Sequence, residues 1–336
     1  MTVGRQAISA MRLATFNLEN LDDRPGLDPP LEQRIAVLRP QILRLNADIL
    51  CLQEVNGQRP AAGGPRQLLA LDRLLEDTSY AGFHRVATTG AAGRGAADVH
   101  NLVILSRWPI TERQQVHHDL VPPPAYGSVT AAPVPEAAEP VRWDRPILSA
   151  TVETPGAAGL HVINLHLRAP LAAAIKGQKQ GEFTWRSAGG WAEGFFLATV
   201  KRNGQALEAR LLVERILERE PDALIALCGD FNAEEHEAPL RTLEAAVEDT
   251  GNGLLAGRVL VPLERALPSS QRFSVLHHGR KVMLDHILVS RALLARYRHM
   301  EVHNEALGDE LVAYATVSRS PESYHAPLVA AFALAD

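Results

Sequence analysis

The sequence predicts an α/β fold, with a mixed sheet core and helices packed outside it. Short apolar runs of strand length recur along the 336 residues, and amphipathic helical stretches interrupt them at irregular intervals. Hydrophobic residues make up 46% of the chain, enough for a substantial core. Length alone leaves one large domain or two small ones open, and no internal repeat divides the chain.

Arg12 to Asn17 reads as the first strand. Leu31 to Leu45 follows as a helix, with Ile35, Leu38, Ile42 and Leu45 at helical spacing. Asp48 to Gln53 is a buried strand ending at Glu54, and Gln67 to Glu76 is a second amphipathic helix. Leu102 to Ser106 is another buried strand, stopped by Trp108-Pro109. Ile147 to Thr154 and Leu160 to Leu165 form a strand pair joined through Pro155-Gly156. Gln205 to Arg219 is a strong helix, with Leu207, Leu211, Leu212 and Ile216 as its apolar positions. Ala223 to Cys228, Lys281 to Val289 and Leu328 to Leu334 complete the strands.

Two stretches stand apart. Pro122 to Pro140 is rich in Pro and Ala and reads as a surface loop. Ala169 to Asn203 mixes Lys176, Lys179, Arg186, Lys201 and Arg202 with Phe183, Trp185, Trp191, Phe195 and Phe196, without clean periodicity. It is either a folded substrate-side flap or a small packing subdomain.

The formal net charge of −5 excludes a strongly basic nucleic-acid-coating protein, but not a nuclease with a local basic surface. The two cysteines, Cys51 and Cys228, sit in apolar runs and read as buried free thiols. Residues 1–10 read as a loose leader, since Met11 begins the first apolar segment and no signal-peptide pattern precedes it. No stretch reaches the roughly 18 apolar residues of a membrane span, so a cytoplasmic protein is expected. The adjacent pairs His117-His118 and His277-His278 lack the ligand spacing and the cysteine partners of a structural zinc site.

The informative pattern is where polar residues fall, because sites in layered sheet proteins are assembled at strand ends. Glu54 directly follows a buried strand, where a carboxylate suits a hard cation. In Cys228-Gly229-Asp230-Phe231-Asn232 the glycine permits a tight turn, and Asp230 and Asn232 stand on one side of it. Asn164 and His166 share one face of their strand. Asp285 lies in an apolar run and needs a partner, for which a histidine is a good candidate. Asn17 ends the first strand, and His325 precedes Ala326-Pro327 and the last. Each has a bland reading alone: a solvated loop glutamate, a turn residue or a structural histidine. The ordered set is more informative than its members.

Phe16-Asn17, Gln53-Glu54, Ile104-Leu105-Ser106, Asn164-Leu165-His166-Leu167, Gly229-Asp230-Phe231-Asn232, Leu284-Asp285-His286-Ile287 and His325-Ala326-Pro327 together resemble the endonuclease/exonuclease/phosphatase superfamily, in that family's order and over nearly the whole chain. That family contains apurinic endonucleases, pancreatic deoxyribonuclease, sphingomyelinases and inositol polyphosphate phosphatases. The resemblance implies a four-layer α/β sandwich, two packed mixed β-sheets flanked by helices, as one domain over residues 11–336 with the insertion at about 169–203. It also implies a phosphoesterase dependent on Mg²⁺ or Mn²⁺, acting on a phosphodiester that is either nucleic acid or a small molecule. Glu54 would bind the metal with Asn17 beside it. Asp230 and Asn232 would orient water and phosphate, and His325, held by Asp285, would be the general base. His166 would donate a hydrogen bond to the phosphate or protonate the leaving oxygen, and which histidine is acid and which is base stays open at this point.

Two positions depart from the family pattern. Tyr324 stands where an Asp usually precedes the terminal histidine, which puts a second metal position in doubt unless Glu322 substitutes. Asn101 stands where relatives often carry a small residue, and it either reaches the site or ends its strand. Asn101, Lys176 and Arg186 are the candidate substrate-binding residues. A phosphomonoesterase acting on a small metabolite or lipid head group is one alternative. A non-catalytic member that binds a phosphorylated ligand through a degenerate metal site is the other.

Overall fold

The computed structural model describes residues 10–60, 63–90, 93–156, 159–181, 183–310 and 320–334. Apart from Ala10, the expected leader lies outside them. The chain runs β1 (Ala10–Leu21), α1 (Leu31–Leu45), β2 (Ile49–Val55), α2 (Leu69–Leu75), β3 (His84–Ala87), β4 (Asn101–Ser106) and β5 (Ile110–Val116). It continues through β6 (Ala125–Tyr126), β7 (Glu139–Pro140), β8 (Ile147–Val152), β9 (Leu160–His166), α3 (Ala188–Arg219) and β10 (Leu224–Asp230). After α4 (Ala238–Glu244) and α5 (Val247–Thr250) come β11 (Leu260–Pro262), β12 (Val275–His277), β13 (Arg280–Val282) and β14 (Asp285–Ser290). The chain closes with α6 (Arg291–Leu294), β15 (Tyr297–Val302) and β16 (Leu328–Ala333).

Two six-stranded sheets form the core, in the orders β15-β16-β1-β2-β4-β3 and β11-β14-β10-β9-β8-β5. Each is mixed, with one parallel pair, β1 with β2 and β9 with β10, among antiparallel neighbours. Strand alternation explains the layers. Leu13, Ile49 and Cys51 of one sheet meet Val162, Ala226, Cys228, Ile287 and Val289 of the other in the inner layer. The alternate residues Ala14, Phe16, Leu50 and Leu52 face α1 and α2. Ile163, Leu165, Ile225, Leu227 and Leu288 face α3 and α4. This is the expected four-layer α/β sandwich. Cys51 and Cys228 are free thiols within the inner layer, as expected. No helix among the described residues is long and apolar enough to cross a membrane.

Several boundaries differ from expectation. The expected strand Lys281 to Val289 is broken at Met283-Leu284, because Ser274 Oγ accepts hydrogen bonds from both the Leu284 and Asp285 amides at 3.0 Å. The helix expected from Gln205 begins at Ala188 and runs for 32 residues. Gly189, Gly190, Gly194 and Gly204 weaken its intrinsic helical signal. Tertiary contacts supply what propensity does not. Ser187 Oγ caps the helix by accepting from Gly190 N at 3.0 Å, and the Glu193 carboxylate accepts from the amides of Val129 and Thr130 at 2.6 and 2.9 Å.

The two irregular stretches pack on each other. Ala132 N donates to Lys176 O at 2.9 Å, and Tyr126 and Phe196 rings lie 5.4 Å apart. The expected insertion therefore docks on the Pro122 to Pro140 loop, which is irregular except for the two-residue strands β6 and β7.

Candidate active site

The inner layer turns from apolar to polar at one end of both sheets. Asn17 and Gln53 continue the inward faces of β1 and β2, where they are register partners. His166 and Asp285 are the register partners of Asp230 on its two sides, through β9 and β14. Just below, Gln53 Nε2 donates to Thr15 Oγ1 at 3.0 Å and to Asn164 Oδ1 at 2.7 Å. Asn164 Nδ2 in turn donates to the carbonyls of Leu52 and Val103, both at 3.0 Å. These buried amides tie the two sheets together under the site and leave the charged groups above them.

Glu54 would follow Leu50 and Leu52 to the outer face if alternation were strict. Its backbone is left-handed, with φ 57°, and the register shifts on both sides of β2 at this point. That irregularity re-aims the carboxylate into the site. Gly229, with φ 139°, permits the other close approach, since a Cβ there would stand 2.0 Å from Leu165 O.

Asp230 is the centre of the cluster. Its Oδ2 accepts from Asn17 Nδ2 and Asn232 Nδ2, both at 3.0 Å, and its Oδ1 accepts from Asn232 N at 2.8 Å. His166 Nε2 stands 3.4 Å and His325 Nε2 4.0 Å from the same Oδ2. Asn17 Nδ2 also donates to Glu54 Oε1 at 3.2 Å, so one amide bridges a carboxylate of each sheet. Asp285 Oδ2 lies 2.8 Å from His325 Nδ1, which leaves Nε2 as the nitrogen presented to Asp230.

Burial and neighbouring charges set these groups apart. Burial pushes the Asp230 carboxyl up to about 7; His325 opposes that rise, while Asp285 and Glu54 add to it. Burial lowers the His325 pKa, but Asp285 and Asp230 outweigh it and hold the imidazole well above its ordinary value. His166 goes the other way: burial, then Arg145, His100 and His325, depress it well below that value.

The cluster brings together Asn17, Glu54, His166, Asp230, Asn232, Asp285 and His325. Asn17 turns Nδ2 toward the Glu54 and Asp230 carboxylates, while its Oδ1 accepts from Glu19 N at 2.8 Å. Asn101 is fully buried, and its amide donates to Val55 O at 2.8 Å and Ala97 O at 3.0 Å. Its Oδ1 also accepts from Ala97 N at 2.8 Å, so the side chain holds the loop before its strand. Lys176 and Arg186 are exposed on the insertion, and no described hydrogen bond or ion pair joins either to the cluster.

Tyr324 is buried, with its ring beside Gly308 and its amide donating to Glu19 Oε2 at 2.9 Å. Glu322 lines a small cavity with Gln41, Arg44, His303 and Glu305, and is absent from both described groups of convergent metal-ligating side chains.

Two residues were not legible beforehand. Arg145 Nη1 donates to Leu167 O at 3.0 Å while Nη2 stands 3.4 Å from His100 Nδ1. Arg145 is anchored from below by α3, where Gln205 Nε2 donates to its carbonyl at 3.1 Å. The neighbouring Trp143 donates from Nε1 to Glu208 Oε2 at 3.0 Å and packs where only a glycine, Gly204, leaves room. His100 completes the rim, 3.9 Å from Glu54. The only sequence signal for it was its place directly before a strand.

The layered fold and a carboxylate-rich cluster with a clamped imidazole define a phosphoester-hydrolase architecture. The chain belongs to the endonuclease/exonuclease/phosphatase family, whose model matches residues 14–318, and it is a hydrolase of phosphate esters. No curated protein sequence matches it significantly. Among solved structures it is similar to an endonuclease/exonuclease/phosphatase family protein from Bacteroides thetaiotaomicron, with TM-score 0.57 and 16% identity over 96% of this chain and 97% of that one. It is also similar to D. rerio TDP2 complexed with single-strand DNA product, with TM-score 0.53 and 17% identity over 96% and 99%. The human nocturnin catalytic domain with bound sulfate gives TM-score 0.52 and 14% identity over 96% and 94%. The family's hydrolysis is divalent-metal dependent, and the convergent side chains here fit such an ion.

Proposed function

We propose that the protein hydrolyses a phosphodiester, with Mg²⁺ or Mn²⁺ held at Glu54. The observation that carries this reading is the convergence on Asp230 of the Asp285–His325 couple, Asn17 and Asn232. Three carboxylates, Glu54, Asp230 and Asp285, gather around one guanidinium, Arg145, and the His325 imidazole. Such a pocket has surplus negative charge, which a divalent cation balances. Bound there, the cation neutralises charge on the phosphoryl oxygens.

The chain's own groups divide the remaining work. Asn232 Nδ2, held by Leu167 O at 3.1 Å, fixes Asp230 so that Oδ2 can take a proton from the attacking water. His325, kept protonated by Asp285 and Asp230, donates from Nε2 to a phosphoryl oxygen, which gives it a donor role instead of the general-base role expected from sequence. Arg145 offers its guanidinium to the same phosphate. The neutral His166 is a poor acid and is not assigned the leaving-group proton. Attack of water forms a phosphorus–oxygen bond as its proton passes to Asp230, the ester phosphorus–oxygen bond breaks, the departing alkoxide takes a proton from solvent and Asp230 returns its own to solvent, so that a phosphomonoester and an alcohol leave.

The test is p-nitrophenolate release from bis-p-nitrophenyl phosphate and p-nitrophenyl phosphate with Mg²⁺, Mn²⁺ or chelator. Single-stranded DNA, RNA and sphingomyelin are run in parallel, since the D. rerio TDP2 structure carries a single-strand DNA product. Metal-dependent cleavage that favours the diester and disappears in His325→Ala is expected. Faster monoester cleavage, or activity indifferent to chelator, overturns the reading.

A further inference from the structure

Glu54 has a second set of neighbours that the hydrolytic assignment leaves unused. His100 Nδ1 stands 3.9 Å from Glu54 Oε2, and His166 Nε2 stands 3.5 Å from Glu54 Oε1. One ligand atom from each of the three lies within 4.8 Å of the others. Around a first-row ion bound at about 2.0–2.2 Å, ligand atoms stand roughly 3–4.4 Å apart. The two measured separations fall inside that window.

His166 is 2% exposed and turns Nε2 toward the Glu54 carboxylate. Its Nε2 has only the long contacts to Glu54 and Asp230, beyond the 2.7–2.9 Å or so of a charge-assisted hydrogen bond. A buried imidazole this poorly satisfied is uncommon in a finished core. His100 is held at the rim in a left-handed conformation, with φ 57°, its amide donating to Asn56 Oδ1 at 2.9 Å. That backbone is uncommon outside glycine, asparagine, aspartate and histidine. Arg145 Nη2 contacts its Nδ1 only at 3.4 Å, a weak hold on that lone pair. The other convergent group, Asp230, Asp285 and His325, is already committed internally by the 2.8 Å Asp285–His325 bond.

We propose that Glu54, His100 and His166 form a two-imidazole, one-carboxylate site that takes a first-row transition ion such as Mn²⁺ in preference to Mg²⁺. The proposal rests on the reading of Glu54 as the cation-binding carboxylate and adds the nitrogen ligands that select the ion. Imidazole suits transition ions, whereas Mg²⁺ holds to oxygen donors and keeps its waters.

The experiment measures metal binding directly, apart from turnover. Metal-stripped protein is titrated calorimetrically with Mn²⁺ and with Mg²⁺, and the Mn²⁺ complex is examined by pulsed electron paramagnetic resonance for imidazole-nitrogen coupling. His100→Gly is the main variant, because glycine adopts the left-handed backbone freely, and thermal melting confirms that it folds. His100→Asn, which also tolerates that backbone, serves if it does not. Nitrogen coupling in the wild type is expected, with one nitrogen lost and Mn²⁺ affinity down about tenfold or more in the variant. Mg²⁺ affinity should stay unchanged. An all-oxygen Mn²⁺ signal, or coupling and affinity unaltered by His100→Gly, overturns the site. All-oxygen Mn²⁺ with hydrolysis intact and lost in His325→Ala removes this proposal and spares the hydrolytic reading. Nitrogen-ligated Mn²⁺ in a protein that cleaves no ester does the opposite.

Discussion

Two buried histidine–carboxylate pairs leave β14 from adjacent positions, and they serve opposite ends. Asp285 points inward with Ile287 and Val289 and holds His325 in the site. His286 points outward with Leu288, pairs with Glu264, and reaches Ala233 O from Nε2 at 2.8 Å. His286 and Glu264 are both essentially unexposed, and the contact ties down the loop that follows Asp230 and Asn232 from behind. His325 is 16% exposed and turns Nε2 toward Asp230. The same chemical pair is thus machinery on one face and fastening on the other. What distinguishes them is whether a ring nitrogen is left over for a substrate: His325 Nε2 is, and both nitrogens of His286 are spent.

Breaking each pair separately sharpens the contrast. Asp285→Asn removes the charge that orients and charges His325, and diester hydrolysis should fall about 10³–10⁴-fold with little change in melting temperature. Steady-state kinetics beside a thermal melt reads both, and a large loss of stability with activity retained would erase the distinction. His286→Ala should do the reverse. Leaving Glu264 buried without its partner costs about 3–5 kcal/mol of stability by denaturant titration, while the folded fraction keeps its hydrolysis. Unchanged stability would make the rear pair ornamental.

Glu54→Gln keeps the shape and hydrogen-bonding outline of the side chain but removes its charge. Metal-dependent turnover should drop about 10²–10³-fold, with folding intact, as followed by activity and circular dichroism. Near-normal turnover would take Glu54 out of the metal role.

The gentlest perturbation is pH. Burial lowers the His286 pKa, but the Glu264 charge and hydrogen bond outweigh it and raise it above the ordinary value of 6.5. A raised folded-state pKa means the unfolded chain releases its proton first as pH climbs. The contribution of the pair is therefore full below about 6.5 and declines as pH rises through the higher folded value. Wild type minus His286→Ala, measured as unfolding free energy against pH, should shrink toward alkaline pH. A difference that grows there would reverse the assigned charge state.

Most of the site could be read from sequence because it extends a periodicity. Asn17, Asn164, His166 and Asp230 occupy inward positions of strands whose earlier inward residues, Leu13, Val162, Ala226 and Cys228, are apolar, so the face changes character without changing phase. The outer layers follow from the same alternation. Glu54 was found only because it adjoins a strand, and its inward aim depends on a backbone irregularity that no pattern encodes. Arg145 and His100 lie on irregular segments, where position is set by contacts with α3 and Asn56 and not by spacing. The N-terminal half of α3 was hidden by its glycines and exposed aromatics, which break the amphipathic signature while caps and loop contacts keep the helix. Asn101 lies at the start of its strand, with its amide bonded to Val55 O and Ala97 O.

The central claim is that Asp230 is the hub of phosphodiester hydrolysis, and Asp230→Asn tests it most directly. The amide preserves volume and most hydrogen-bonding geometry but is a poor proton acceptor. With Mn²⁺ saturating and the fold verified, hydrolysis of bis-p-nitrophenyl phosphate is predicted to fall at least about 10³-fold. Turnover within a few-fold of wild type would contradict the account and move the proton acceptor elsewhere.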